Sequence, residues 1–294
     1  MGPGHGAVKQ GGDSAARLRP GRDSAARIAC HRPRRGSMEI TPQSHAFITG
    51  GASGIGLAIG DALAAAGARV TLADIDGDAL AAVLATRDPA RFRGAVLDTR
   101  DRAGWTREAD AAEAAFGPVD VLVNNAGISP DNTPLADMTD ESWDRMIAIN
   151  LTGVRNGIAA LAGRMRDRGR GHVVNTASMA GISTPRPGTG GYSAAKAGVV
   201  MLSDVLRAEM AGKVGVTALC PGLVFTNLGE TSFKLGATKT GGSMAGIPGG
   251  IGPEAVGPMV LAAIRADAPY CMTHSDRRRD VAPRMEAILG AFES

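Results

Sequence analysis

From residue 45 onward, short apolar runs alternate with longer stretches whose apolar positions recur at helical spacing. The short runs predict strands at His45–Thr49, Arg69–Ala73, Arg91–Leu97, Val119–Val123, His172–Thr176, Val214–Leu219 and Tyr270–Thr273. The stretches between them predict helices over Ile55–Ala66, Asp76–Arg87, Arg102–Phe116, Glu141 to about Arg168, Tyr192–Ala211, Pro253–Ala266 and Val281–Phe292. Gly67 is placed to end the first of these. In the long helix from Glu141, the residues Trp143, Met146, Ile147, Val154, Ile158 and Leu161 are expected on one side. Regular alternation of strand and helix implies a parallel sheet covered on both faces. With right-handed crossovers this becomes a doubly wound α/β sheet of about seven strands.

Residues 1–37 lack that pattern. They are rich in Gly and Arg, hold few large apolar residues, and are expected to be disordered. Lys9, Arg17, Arg19, Arg22, Arg27, Arg32, Arg34 and Arg35 stand against only Asp13 and Asp23, so this leader carries a net charge of +6. The whole chain carries +3, which leaves −3 on residues 38–294. The sequence pI near 9.0 therefore comes from the leader, and the mildly acidic body argues against a nucleic-acid partner. The leader reads as a transit peptide, as a nucleic-acid arm, or as sequence upstream of a natural start at Met38. The last is favoured because regular structure begins only a few residues after Met38. Residues 38–294 are then expected to form a single domain. No stretch of 18 apolar residues is free of charges or glycine clusters, which excludes a membrane-spanning helix and a membrane partner. The three cysteines form no disulfide or zinc pattern, and the five histidines are scattered, so no metal site is expected and a reducing, cytoplasmic setting is.

The first strand runs into Thr49-Gly50-Gly51-Ala52-Ser53-Gly54-Ile55-Gly56 and then into a helix. Gly50 allows a tight turn, Gly54 lets the backbone approach a pyrophosphate, and Gly56 lets helix and strand pack closely. Ser53 and Ile55 flank Gly54 and complete the expected contacts of a Rossmann-type nucleotide loop, whose helix N-terminus offers N–H groups to the anion. Asp74 ends the second strand, 18 residues after Gly56. That is the place for an acid on the adenosine ribose, or for an ordinary strand-end turn residue; the glycine loop favours the ribose. An acid there predicts NAD rather than NADP.

Tyr192-Ser-Ala-Ala-Lys196 is the sharpest chemical signal, in a chain with two tyrosines. At i,i+4 on a helix the two side chains share a face. A nearby ammonium favours phenolate and brings the tyrosine towards general acid–base work on an alcohol or ketone.

The spacing Thr-Gly-x-x-x-Gly-x-Gly resembles the compact, single-domain short-chain dehydrogenase/reductase family, and the resemblance runs through residues 45–228. It implies that Asp98, after the third strand, holds the adenine. The family's Asn-Asn-Ala-Gly signature is matched by Asn124-Asn125-Ala126-Gly127, of which Asn124, Ala126 and Gly127 are expected at the cofactor. Pro221 and Gly222 match the family's Pro-Gly after the sixth strand, and Thr226 the threonine that contacts the nicotinamide amide. The resemblance further implies that Tyr192 moves the hydroxyl proton while Lys196 tunes it and holds the nicotinamide ribose. Ser178 would bind the substrate oxygen, although a serine capping a strand-end turn reads equally well from its residues alone. Asn150 would hold a water linking the lysine to solvent. The family's usual acidic and aromatic stretch before the last strand, ending near a Gly-Gly pair, is missing. Tyr270-Cys-Met-Thr-His274 and a basic run, Arg277 to Arg279, lead into the final helix instead.

Residues 225–252 read as a long Gly-rich loop, either a substrate lid or a surface insertion, and Phe225, Phe233, Leu235, Met244, Ile247 and Pro248 favour a hydrophobic alcohol or ketone. A homodimer or homotetramer through helices 141–168 and 192–211 is implied by resemblance. The competing functions are a catalytically silent nucleotide sensor or scaffold on the same fold, and a sugar-nucleotide epimerase of the extended type. The complete Asn-Ser-Tyr-Lys set disfavours the first. The glycine spacing and the short chain after Tyr192 disfavour the second.

Overall fold

The computed structural model describes residues 1–2, 38–210, 212–236 and 247–292. The expected disorder of the leader falls outside the described residues for 3–37, as does the stretch 237–246 of the expected lid. Seven strands form one sheet: His45–Thr49 (β1), Arg69–Asp74 (β2), Phe92–Val96 (β3), Val121–Asn124 (β4), His172–Thr176 (β5), Gly215–Cys220 (β6) and Tyr270–Met272 (β7). Their order is β3-β2-β1-β4-β5-β6-β7, and every pairing is parallel.

Side chains alternate across this sheet and build a core on each face. Ala46 and Ile48 of β1 join Val70, Leu72, Val121 and Val123 under the helices Gly54–Ala65 and Val256–Ala266. Phe47 between them points the other way, to Leu122, Trp105 and Leu161. Because both faces are covered, the central strands β1, β4, β5 and β6 are buried along their whole length. The chain winds outward from β1 in one direction and from β4 in the other, so the turns after these two strands open a crevice at the carboxyl end of the sheet.

The helix over 140–168 is continuous but not uniform. α-Helical segments at Asp140–Ile147, Gly153–Gly157 and Gly163–Arg168 are joined by π turns at Ala148–Thr152 and Ile158–Ala162. Each π turn adds residues per turn and rotates the helix face. Of the single apolar side expected from the sequence, Met146, Val154 and Leu161 are buried, while Trp143, in the same α-helical segment as Met146 and ahead of both π turns, is exposed. Residues 225–252 are not the plain loop expected. They contain the helix Leu228–Lys234, whose Ser232 Oγ accepts from Ser129 N at 2.8 Å. The ends of the segment are tied by a bridge between Val224 and Ile251. Tertiary contacts, which no local pattern reports, order this short helix. Among the described residues no helix is long and apolar enough to cross a membrane.

Two buried histidines begin strands at the end of the sheet opposite the crevice. His45 bonds Gly117 O and Thr71 Oγ1, at 2.7 and 2.8 Å, and burial pulls its pKa down to about 4. His172 bonds Thr217 Oγ1 at 2.8 Å, and burial, aided by the Arg207 charge, pulls it down to about 3. Below pH 6.5 the unfolded chain takes up protons that the folded one refuses, so this stability is present above 6.5 and is lost as pH falls towards 4 and then 3. At about 1.4 kcal/mol per pKa unit, Tm should fall steeply between pH 6.5 and 4.5; a flat Tm in a thermal-melt series would contradict the assignment.

Candidate active site

The turn after β1 bends sharply. Gly50 and Gly54 have φ of +64° and +54°, the left-handed region that favours glycine. A side chain on Gly56 would run into Gly50 O, so the helix Gly54–Ala65 starts hard against the turn. Its N-cap Ser53 makes no side-chain cap bond, and its first turn holds no acid. The helix N-terminus thus faces the crevice with free N–H groups and a partial positive charge, a fitting cradle for a pyrophosphate. Asp74 closes the turn from β2. Its carboxylate accepts from Ala52 N at 3.0 Å and from Asp76 N at 3.1 Å, which leaves lone pairs on both oxygens for ribose hydroxyls.

Thr49 couples this turn to the one after β4. Its Oγ1 accepts from Asn125 N and Ala126 N, at 2.9 and 3.0 Å, while Asn125 Nδ2 donates to Thr49 O at 3.1 Å. Asn124 is placed differently from the expectation. It is the last residue of β4, and its side chain turns away from the crevice to donate to Asn175 Oδ1 at 2.8 Å, fully buried. Strand parity sends Asn124 to one face and leaves its neighbour Asn125 on the wall of the cleft.

An open cleft of about 1320 Å³ runs from these turns across the end of the sheet. Gly50, Ser53, Gly54, Ile55, Asp74, Asp98, Ala126, Gly127, Asn150, Ser178, Tyr192, Lys196, Pro221, Gly222 and Thr226 all line it. Of the cofactor and catalytic residues expected from the sequence, Asn124 and Gly56 alone do not, the latter because it packs helix on turn; of the expected lid residues that are described, Leu235 lines the cleft while Phe225, Phe233, Ile247 and Pro248 do not. Arg100, Asn125, Thr176 and Ile128 also line the cleft and were not singled out beforehand. Arg100 grips Asp98, with Nε at 3.0 Å and Nη2 at 2.6 Å, and this pairing holds the Asp98 carboxyl below the usual carboxylate range.

At the far end of the cleft the helix Gly190–Met210 presents Tyr192 and Lys196 on one face. The Lys196 ammonium lies 5.8 Å from the centre of the Tyr192 ring and donates to Thr176 O at 2.8 Å. Ser178, just beyond β5, is hydrogen-bonded to the Tyr192 side chain. Its Oγ also accepts from Ala180 N at 3.1 Å, so it caps its turn and faces the tyrosine at once. Burial brings the Lys196 ammonium down to about 8. The tyrosine differs from the expectation of a lowered pKa. Burial raises it, and the Ser178 bond opposes that rise. The ammonium is committed to the Thr176 carbonyl, while the phenol sits half-buried on the cleft wall.

Asn150 falls within the first π turn and is completely buried. Its Oδ1 accepts from Ile128 N at 3.1 Å and its Nδ2 donates to Ile128 O at 3.2 Å, locking the turn after β4 beside Lys196. A Cβ on Gly127 would stand 2.7 Å from Asn150 Oδ1. Ile128, Leu228 and Leu235 give the wall near Tyr192 an apolar surface.

Residues 44–235 match the family model for short chain dehydrogenases. A probable oxidoreductase, EphD, of Mycobacterium tuberculosis (strain H37Rv) is 35% identical over 257 residues, 83% of this chain. The match spans only 42% of the length of that relative. Levodione reductase of Leifsonia aquatica is 39% identical over 197 residues, covering 64% of this chain and 72% of the enzyme. Among solved structures, a short chain dehydrogenase/reductase of Burkholderia phymatum in complex with NAD superposes with a TM-score of 0.75 at 30% identity, covering 85% of this chain and 95% of that one.

Proposed function

The chain belongs to the short-chain dehydrogenase/reductase family of oxidoreductases, and from that premise we propose that it is an NAD-dependent enzyme interconverting a hydrophobic secondary alcohol and its ketone. One observation carries the reading: half-buried Tyr192 and Ser178 meet buried Lys196 at one end of a cleft whose other end offers an uncapped helix N-terminus and Asp74. When bound, the nicotinamide cofactor supplies or accepts the hydride.

The chain does the rest. Asp74 accepts from the adenosine ribose, and Asp98 with Arg100 borders the adenine. The N-terminus of the helix Gly54–Ala65 receives the pyrophosphate. Pro221, Gly222 and Thr226 border the nicotinamide, and Lys196 reaches its ribose. The Ser178 hydroxyl holds the substrate oxygen and steadies the charge that develops on it. Tyr192 Oη gives its proton to that oxygen in reduction and takes it back in oxidation. A phenol held protonated by burial suits the reductive direction, and the Lys196 ammonium supports the phenolate left behind. Asn150, by fixing Ile128 and the π turn, supports the path by which Lys196 exchanges protons with solvent.

The apolar wall of Ile128, Leu228 and Leu235 favours hydrophobic substrates over sugars. Association into a homodimer or homotetramer fits the exposed Met201 and Val205 on the helix Gly190–Met210, and light scattering would decide it. A cytoplasmic, reducing setting fits Cys220 and Cys271, both free thiols. The testing experiment is a screen of aliphatic, aryl and steroid alcohols and ketones, and of polyols, followed by the absorbance of the reduced nicotinamide. Turnover of apolar substrates above polyols is expected. Tight NADH binding without any turnover would leave the silent nucleotide-binding reading in its place.

A further inference from the structure

The segment 273–284 lies in the region that departs most from the family pattern, and it touches three of the turns that frame the cleft. Thr273 Oγ1 accepts from Gly222 N at 3.0 Å, and Gly222 lines the cleft. Nδ1 of His274 lies 2.7 Å from Thr273 Oγ1, and its Nε2 lies 3.0 Å from Gly249 O. A carbonyl only accepts, so Nε2 carries the hydrogen and Nδ1 accepts from the Thr273 hydroxyl. The partners thereby fix one direction of donation: Gly222 N–H to Thr273, Thr273 O–H to His274, His274 N–H to Gly249 O. Thr273 and His274 are each only 7% exposed, so water does not compete for these bonds. The fit is close, since a Cβ on Gly222 would come within 2.6 Å of Nδ1.

A second pair of contacts lies one helical turn onward. Asp280 O accepts from Thr184 N at 2.8 Å, and Arg284 Nη1 donates to Gly181 O at 3.0 Å. Gly181 closes the 3-10 turn Met179–Gly181 that Ser178 caps. It also rests on the backbone of the catalytic helix, where a Cβ would stand 2.7 Å from the carbonyl carbon of Lys196. The helix that carries Arg284, Arg278–Gly290, buries none of its own residues. It adds little to the hydrophobic core; beyond the Arg277–Asp280 and Arg279–Asp280 ion pairs at its own start, Asp280 and Arg284 bond residues 184 and 181.

We propose that residues 273–284 are a positioning strap: Thr273 and His274 set the Gly222 amide on the cofactor side, and Arg284 sets the Ser178 turn on the catalytic side. This rests on the functional reading above, but its two arms predict different losses, and part of the test is independent of turnover. Thr273→Val keeps the shape and removes the hydroxyl. It should weaken NADH binding about tenfold, the size of one lost hydrogen bond, and speed hydrogen exchange of the Gly222 amide; Thr273→Ser should restore both. Arg284→Met should instead lower kcat about tenfold, leave NADH affinity unchanged, and speed exchange across 181–184. Arg284→Lys should recover part of the rate. The strap is overturned if the two variants keep wild-type affinity, exchange and kcat, or if both merely lower Tm with no division between cofactor affinity and rate. If the wild type turns over no alcohol or ketone, the functional reading fails while NADH affinity and amide exchange still decide the strap. If NADH does not bind either, exchange at Gly222 and 181–184 decides it alone.

Discussion

Tyr192→Phe is expected to reduce kcat by roughly 10²–10⁴-fold, the range for loss of a general acid–base group, while NADH affinity and Tm stay near wild type. The substitution removes one oxygen and keeps the ring, which packs against the buried cluster of Ile128, Met146 and Ile149. The fold loses the bond to Ser178, a term of about 1 kcal/mol. Lys196 stays bound to Thr176 O, so the cofactor end of the cleft is not disturbed. Catalysis loses its proton donor, and nothing close by replaces it. Ser178 already serves as cap and partner, and the Lys196 ammonium, 5.8 Å from the ring centre, donates to Thr176 O. The measurement is steady-state kcat and KM for the best substrate of the screen, beside an NADH fluorescence titration. A variant that turns over at the wild-type rate would remove Tyr192 from the chemistry.

The sheet was legible because burial on both faces writes long apolar runs into the chain. β1 and β5 were placed with their observed ends, and the helix Arg102–Phe116 likewise. Other boundaries moved by one to three residues, since the hydrophobic pattern does not specify where the hydrogen bonding starts. The π turns were not legible. A period of 3.6 residues carries no sign of a local widening, and the polar Asn150 hinted only that the helix was irregular there. The cleft was legible where a motif demands a residue type for a geometric reason, as at Gly50, Gly54 and Asp74. It was misread at Asn124, where adjacent identical residues face opposite ways and only strand register decides between them. Arg100 escaped notice because an arginine in a turn is usually a solvated surface residue. Its place on the wall follows from its grip on Asp98, two residues earlier in the same turn.

The cofactor preference is expected to be NAD over NADP by about 100-fold in kcat/KM, and Asp74→Ala should collapse most of it. The Asp74 carboxylate is pinned by Ala52 N and Asp76 N at the end of β2, so it cannot swing away from an added 2′-phosphate. One like-charge contact at 4 Å costs roughly 4 kcal/mol at an effective dielectric of 20, and solvent reduces this to the smaller figure. The structure adds two cations that the sequence did not place at this end. Arg100 and Lys234 come near the same region, but each is already spoken for: Arg100 pairs with Asp98 at 2.6 Å and Lys234 with Asp76 at 3.1 Å. Three carboxylates, Asp74, Asp76 and Asp98, thus face two cations, which leaves Asp74 as the uncompensated charge. The pairing also predicts how the preference can be reversed. Asp98→Asn frees the Arg100 guanidinium, so the double variant Asp74→Ala/Asp98→Asn should favour NADP more than Asp74→Ala alone. The ratio of kcat/KM for the two cofactors, measured in wild type and both variants, reads the outcome. Equal use of NADP by the wild type, or an unchanged ratio in Asp74→Ala, would take Asp74 out of the ribose site.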